Sequence, residues 1–424
     1  MFKGLTKQEK AWVLYDVGNS AFTMLACSLI PIWFKELAIG DAPGMLSNDE
    51  ATSYWAFAIA LVTVIVALLG PILGAIADHK DKKKIFFTTT VAVGVIGCIL
   101  NGMVATWVAF IVIHVLSKIF YSSSLTFYDS MLNDVTTEDR MDQVSSYGYA
   151  WGYIGSCIPF ALAMIAYVIS GGGGIMEPKI SAQLGRIIGF AVTGIWWLMV
   201  TVPLIRHYKQ ANYVEPEKHA VRKAFVKIGR TLKTIALKDK KVLWFLIAFF
   251  LYIDGVGTII DNCINIGTHL GLPTVGQVVF LLATQVVAWI GSLVFAQLSK
   301  KHDTVKLIKI CIVGYFCVCL YALTLTTLVH FGILAFGVGC FQGSIQSLSR
   351  SYYSKIIPAE NSGEYFGLYD IFAKGASFLG SALIGIVVSA GGTINIAVAS
   401  LAVFFGLGFV FLSFSDKQKA LRAK

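Results

Sequence analysis

The sequence predicts an all-α membrane protein of twelve transmembrane helices arranged as two six-helix halves. Hydropathy, the placement of basic residues and a weak internal repeat carry that prediction. The 424 residues have a mean hydropathy of +0.73, with 56% hydrophobic and only 14% charged residues. A soluble chain of this length needs a more polar surface. Apolar runs of about 18 residues or more recur, each long enough as a helix to cross a hydrocarbon core of about 30 Å. A closed barrel would instead show alternating segments of about ten residues, and the sequence has none.

The predicted spans are 12–34, 52–77, 85–104, 107–132, 143–170 and 185–205, then 242–267, 274–298, 306–327, 330–357, 362–389 and 393–414. The first run holds Asp16 and Asn19 and lacks a following small-residue cleavage site, so it reads as a span and not as a signal peptide. The net charge of +10 is unevenly placed. Basic residues crowd into Lys80–Lys84, Arg206–Lys241, Lys300–Lys309 and Lys417–Lys424, while Lys35 and Lys179 are the exceptions in the intervening loops. This positive-inside asymmetry puts both termini in the cytoplasm of a multi-pass membrane protein. No basic stretch has a domain of its own, which argues against a nucleic-acid partner. The eight cysteines are scattered without a CxxC, so neither zinc nor a disulfide framework is indicated.

The count divides six and six around a polar connection, giving halves at 1–205 and 242–424 and a linker at 206–241. The linker holds eleven Lys or Arg. Within it Phe225, Ile228, Leu232 and Ile235 share one face at helical spacing, with Arg222, Lys223, Lys227, Arg230 and Lys233 around them. That pattern describes a basic amphipathic helix lying on anionic lipid head groups. The halves repeat weakly: Leu14-Tyr15-Asp16 answers Leu251-Tyr252 with Asp254, and Ser146-Tyr147-Gly148-Tyr149 answers Tyr365-Phe366-Gly367-Leu368-Tyr369.

Ionisable residues inside spans are the sharper guide, because a charge at mid-bilayer is costly and faces protein or water. Spans three, six, nine and twelve hold no Asp, Glu or Lys in their interiors, whereas Asp16, Lys118, Asp129, Asp254, Asp261, Arg350, Asp370 and Lys374 fall on spans one, four, seven, ten and eleven. Counting in from the span ends at about 1.5 Å per residue puts Lys118, Asp254 and Lys374 near mid-membrane. Asp16, Asp129 and Arg350 then lie near the cytoplasmic mouth, and Asp261 toward the outside. Lys118, Asp254 and Lys374, with Tyr149, Tyr153 and Gln346, are the expected substrate contacts. Asp16, Asn19, Asp78, Asp129, Arg350, Asp370 and Asp261 are the expected gating or coupling residues. Asp370 and Lys374 stand four apart and can pair on one helix face. Two central cations with one carboxylate suit a zwitterionic or anionic solute. Gly70/Gly74, Gly148/Gly152 and Gly363/Gly367 have the small-xxx-small spacing of close helix contacts. Catalytic and nucleotide-binding motifs (HExxH, GxSxG, GxxxxGK[ST]) are missing, so the chain reads as a non-enzyme. No cofactor is implied, and a proton is the candidate coupling ion.

The loop Gly74-Ala75-Ile76-Ala77-Asp78-His79-Lys80-Asp81-Lys82-Lys83-Lys84 resembles the loop signature of the major facilitator superfamily, with His79 where Arg is usual and Asp81 where Gly is usual. In the second half Ser299 stands at the Asp place. Ala11-Trp12-Val13-Leu14-Tyr15-Asp16-Val17-Gly18-Asn19-Ser20-Ala21-Phe22 is similar to the opening signature of the autophagy-related vacuolar amino-acid effluxer branch. So are Phe127–Asp134 with Ser145–Tyr153, and Gln342–Ser351 with Glu364–Asp370. Val17 and Gly18 replace the Trp-Ala common there. The resemblance implies the major facilitator fold, in which every third helix lies outside the cavity, and export of amino acids by alternating access. Export of amphipathic drugs or lysolipids is the alternative. Short loops and the absence of glycosylation sequons favour a bacterial inner (plasma) membrane, and a monomer is expected.

Overall fold

The structure is a computed structural model that describes residues 4–215, 220–374 and 378–418. Among these residues regular structure is helical apart from two isolated β-bridges. The first half comprises α1 (Lys7–Cys27), α2 (Leu29–Ala38), α3 (Asn48–Ala77), α4 (Lys82–Met103), α5 (Trp107–Ser130), the single turn α6 (Leu132–Val135), α7 (Met141–Ile169) and α8 (Ala182–His207). A linker helix α9 (Ala220–Leu237) follows. The second half comprises α10 (Lys240–His269), α11 (Thr274–Leu298), α12 (Thr304–Tyr321), α13 (Leu328–Ile356), α14 (Ser362–Lys374), α15 (Phe378–Ser389), α16 (Ile394–Ser400) and α17 (Ala402–Lys417).

Local chemistry fixes where these helices begin. Thr6 and Ser47 form capping boxes with Glu9 and Glu50, and Thr106, Ser181, Asp303, Thr327 and Thr393 accept from amides of the first turns that follow them. Among the described residues ten segments, α16 with α17 being one of them, are long and apolar enough to cross a bilayer, and α1 with α2 makes an eleventh bent by 40°. α14 with α15 takes the remaining place, their connection at 375–377 lying outside the described residues. The bend replaces the continuous span expected at 12–34. Pro31 has no N–H for the Cys27 carbonyl, and the chain leaves helical geometry at Ser28 (φ −126°, ψ −78°). The Ser28 hydroxyl donates back to the Met24 carbonyl at 2.5 Å.

Two sets of buried apolar side chains form separate cores, one between Leu5 and Tyr208, the other between Ile235 and Leu412. The halves meet where glycines remove the side-chain barrier. A Cβ on Gly74 would stand 2.1 Å from the Gly363 carbonyl oxygen, and one on Gly367 would stand 2.5 Å from Pro71 Cα. α3 and α14 therefore cross backbone to backbone, as the glycine spacing predicts. The basic loops lie at this end of the bundle, termed here the basic end, where Arg140 holds Glu9, Lys227 holds Glu364 and Lys309 holds Asp416. Asp81 opens α4 with φ +61°, the only non-glycine residue with positive φ among the described residues. It occupies the place where the superfamily loop favours glycine, and Asp is among the few residues that tolerate that conformation.

Gly74→Val is expected to force α3 and α14 apart and leave the basic end open. Thiol labelling of a cysteine placed at that end should rise several-fold over the parent protein.

Candidate functional site

Between the halves lies a cavity of about 380 Å³, within the usual range for small-molecule sites. Its walls come from α3 (Val62, Thr63), α5 (Lys118, Ser122), α10 (Ile253, Asp261), α13 (Gln346) and α14 (Ala373). None of the lining residues belongs to α4, α8, α12, α16 or α17, the helices of the spans predicted to carry no interior Asp, Glu or Lys. Lys118 and Asp261 present opposite charges from opposite halves. The Lys118 ammonium also stands 5.1 Å from the Tyr121 ring centre and 5.7 Å from that of Phe22, which fixes it by cation–π attraction. Gln346 donates to the Gln342 carbonyl at 3.1 Å.

About one turn along α13 from the lining residue Gln346 stands the buried Arg350. Its guanidinium donates to Asp129 at 3.0 Å, to Asp16 at 3.2 Å, and to the hydroxyl and carbonyl of Ser145 at 2.9 and 3.1 Å. Rings of Trp12 and Tyr149 lie 4.6 Å from it. Asn19 donates to the other oxygen of Asp16 at 3.1 Å. A Cβ on Gly148 would stand 2.4 Å from Asp16, so glycine is what lets the α1 carboxylate reach the guanidinium beside α7. One cation from the second half thus holds two carboxylates of the first, with planar donors that suit several acceptors at once.

Nearer the basic surface a second network closes the seam. The Asp78 carboxylate accepts from the amides of Gly363 at 2.7 Å and Glu364 at 2.9 Å, so an α3 side chain caps the start of α14. Lys83 lies 3.6 Å from Asp78 and 3.5 Å from Asp134, and donates to the Ser362 hydroxyl at 2.8 Å. Asp134 also accepts from the Tyr208 hydroxyl and from the amides of Ala211 and Asn212, tying the start of the linker to this loop. Burial raises the Asp78 carboxyl to about 6 against the opposing pull of Lys83, the two amides and Lys227. On the pseudo-equivalent seam Ser299 donates only to the Ala296 carbonyl. There Asp142 does the joining, pairing with Lys355 at 2.7 Å and accepting from Ser351 and Thr304 at 2.6 Å each.

The other expected residues fall as follows. Asp254 is buried, and its carboxylate accepts from the amides of Leu379 at 3.1 Å and Gly380 at 2.6 Å and from the Thr258 hydroxyl at 3.4 Å. It thus sits beneath the start of α15, outside the cavity lining given above. Tyr153 packs on Gly343 of α13, where a Cβ would stand 2.6 Å from its ring. Asp370 accepts from the Thr126 hydroxyl across the halves. The side chain of Lys374 lies outside the described residues, as do those of Arg222 and Lys223. Sequence reasoning missed Trp12, Ser145, Asp142, Lys355, Lys83 and Asp134. Trp12 and Ser145 lie inside the quoted signatures, so proximity to Asp16 and Tyr149 was the available signal. Asp142 and Lys355 carried none, because loop carboxylates and span-end lysines are common at membrane surfaces.

The family model described as "Vacuole effluxer Atg22 like" matches residues 6–424. The chain belongs to this family of the major facilitator superfamily. It is 38% identical to the uncharacterized MFS-type transporter YxiO of Bacillus subtilis over 99% of this chain and 97% of that protein. Autophagy-related protein 22 of Botryotinia fuckeliana is 27% identical over 65% of this chain, and the match spans 50% of the fungal protein. Among solved structures, the transporter FucP in the outward conformation aligns with TM-score 0.71 at 14% identity, covering 97% of this chain and 98% of that one. The human organic anion transporter MFSD10 aligns with TM-score 0.70 at 12% identity, covering 96% and 99%. The chain is accordingly a multi-pass membrane transporter of the twelve-helix fold and not an enzyme.

Removing the Arg350 cation leaves two buried carboxylates facing each other, a loss of about 3–5 kcal/mol for the closed basic end. Arg350→Ala should therefore populate the open form, and Arg350→Lys should recover only part of the closure, as read by spin-label distances across that end. The Asp78 carboxyl of this transporter is raised in the closed state and returns to ordinary values when solvent reaches it. The closed state therefore binds the proton more tightly, and lowering pH from 7.5 through 6 should favour closure. Asp78→Asn should abolish that pH response.

Proposed function

We propose that this transporter moves small zwitterionic solutes such as amino acids by alternating access, as an exporter in a cell membrane. The observation that carries the reading is the cavity with Lys118 on one half and Asp261 on the other, placed to take a carboxylate and an ammonium of one solute. Rocking the halves apart at either end separates or joins these two charges, so solute binding is coupled to the conformational change. The basic end faces the cytoplasm by the positive-inside rule, which makes the described state closed inside. Two carboxylates facing the single Arg350 leave one negative charge to spare, and a proton taken up there is the natural coupling ion. The family description, a vacuole effluxer, supports movement of solute across a membrane as the activity.

A second reading, export of amphipathic drugs or lysolipids, rests on an apolar recess of about 400 Å³ between α11 and α13, lined by Phe280, Val287, Val329, Ile333 and Phe336. It lies away from the charged cavity, and nothing polar in it beyond Thr284 would orient a head group.

The test is counterflow of labelled amino acids in proteoliposomes. Losing a hydrogen bond to a charged group costs about 1.5–3 kcal/mol, so Lys118→Gln or Asp261→Asn should lower exchange at least about 10-fold while the protein still purifies as folded. Undiminished exchange in both variants would exclude the cavity as the site, and flux of lysolipid without amino-acid flux would favour the second reading.

A further inference from the structure

The linker helix α9 is not absorbed by the transport site, yet it touches the gate. Ala224 and Ile235 are buried, and α9 packs by this face against α3 and α10. Between them Lys227 reaches across to the second half, 3.1 Å from the fully buried Glu364 and donating to Asn361 at 2.6 Å. Glu364 is the same residue whose amide caps onto Asp78. A continuous polar chain therefore runs from Lys227 through Glu364 to Asp78 and Lys83. Ile228 and Ile235, whose spacing predicted a lipid-facing stripe shared with Phe225 and Leu232, turn toward the protein, and the rest of the helix circumference is open. Phe225, Val226, Leu232 and Leu237 are 60%, 62%, 48% and 64% exposed, an unusual cost for a helix at the end of a bundle. Arg230 and Lys233 are exposed beside them. The helix carries five Lys or Arg and no Asp or Glu along its length.

From these contacts we infer that α9 is a membrane-surface sensor: its exposed face lies on anionic phospholipid, and Lys227–Glu364 transmits that contact to the closure of the basic end. Apolar side chains interleaved with cations fit the boundary between acyl chains and acidic head groups, whereas a soluble protein partner would not require a face free of carboxylates. An anionic leaflet holds α9 in place, keeps Lys227 on Glu364 and so favours the closed basic end. A neutral leaflet releases that constraint. The inference rests on the alternating-access reading but not on the identity of the solute.

The test uses the full-length protein with spin labels at Lys82→Cys and Lys301→Cys, in a Cys27→Ser/Cys317→Ser background. It is placed in phosphatidylcholine vesicles with or without a one-third share of phosphatidylglycerol. The closed fraction should rise several-fold in the anionic vesicles. Arg230→Gln should weaken that response on the order of 5-fold, and adding Lys233→Gln should remove it. Lys227→Gln should uncouple the gate in either lipid; should it fail to fold, the exchanged pair Lys227→Glu/Glu364→Lys serves instead, and its lipid response should match the parent. An equal closed fraction in both vesicle types, or a parent-like response of the Arg230→Gln/Lys233→Gln protein, overturns the inference. So does a change of oligomeric state in Phe225→Ser/Leu232→Ser without any change in lipid response, which would assign the face to a protein contact. Because no solute is present, failure here is distinguishable from failure of the proposed transport activity.

Discussion

A single buried cation, Arg350, is the constraint on which the closed architecture depends. It stands on the second half and its hydrogen bonds go to the first, to Asp16 of α1, Asp129 of α5 and Ser145 of α7. A charge so enclosed is tolerable only while its partners are in place, so separating the halves must exchange these contacts for water. Sealed, the guanidinium is satisfied by protein; parted, it would have to be satisfied by solvent. Intermediate separations satisfy neither. The aromatic faces of Trp12 and Tyr149 add attraction that does not compete with the carboxylates for donors.

The glycines make that arrangement reachable. Gly148 lets Asp16 reach the guanidinium beside α7, and Gly74, Gly363 and Gly367 let α3 and α14 touch at the backbone. Close approach in turn brings the α14 amides within reach of Asp78, so the carboxylate that ends α3 becomes the cap of a helix in the other half. The two seams are not copies. Where the second-half loop has Ser299 in place of an acid, Asp142 with Lys355 and Thr304 supplies the joining interaction from the opposite partner. Different residues thus satisfy the same requirement, joining the halves, at the two seams.

Much of the site was legible before the fold. Asp16, Asp129 and Arg350 were expected together near one mouth, since a charge inside a span needs a partner at its own depth, and they do meet there. Depth alone could not place Asp254. Its distance along α10 matched mid-membrane, but its rotation turned it to the α15 amides, while Asp261, expected toward the outside, lines the cavity. The bend at Ser28 was hidden because Pro31 lies in an otherwise unbroken apolar run. Asp81 was visible as a departure from the loop pattern, and its positive φ explains why the pattern favours glycine.

The sequence by itself determined that the chain spans a membrane, that it does so in two related sets of six, which end carries the basic loops, and which spans avoid charge. Those properties follow from transfer free energies and net placement, which are additive along the chain. Only the tertiary structure decided which charges meet, which carboxylate caps a helix and which faces solvent, and that the linker helix reaches Glu364 while leaving an apolar face uncovered. These depend on helix rotation and on approach distances of a few ångströms, and no one-dimensional pattern encodes either.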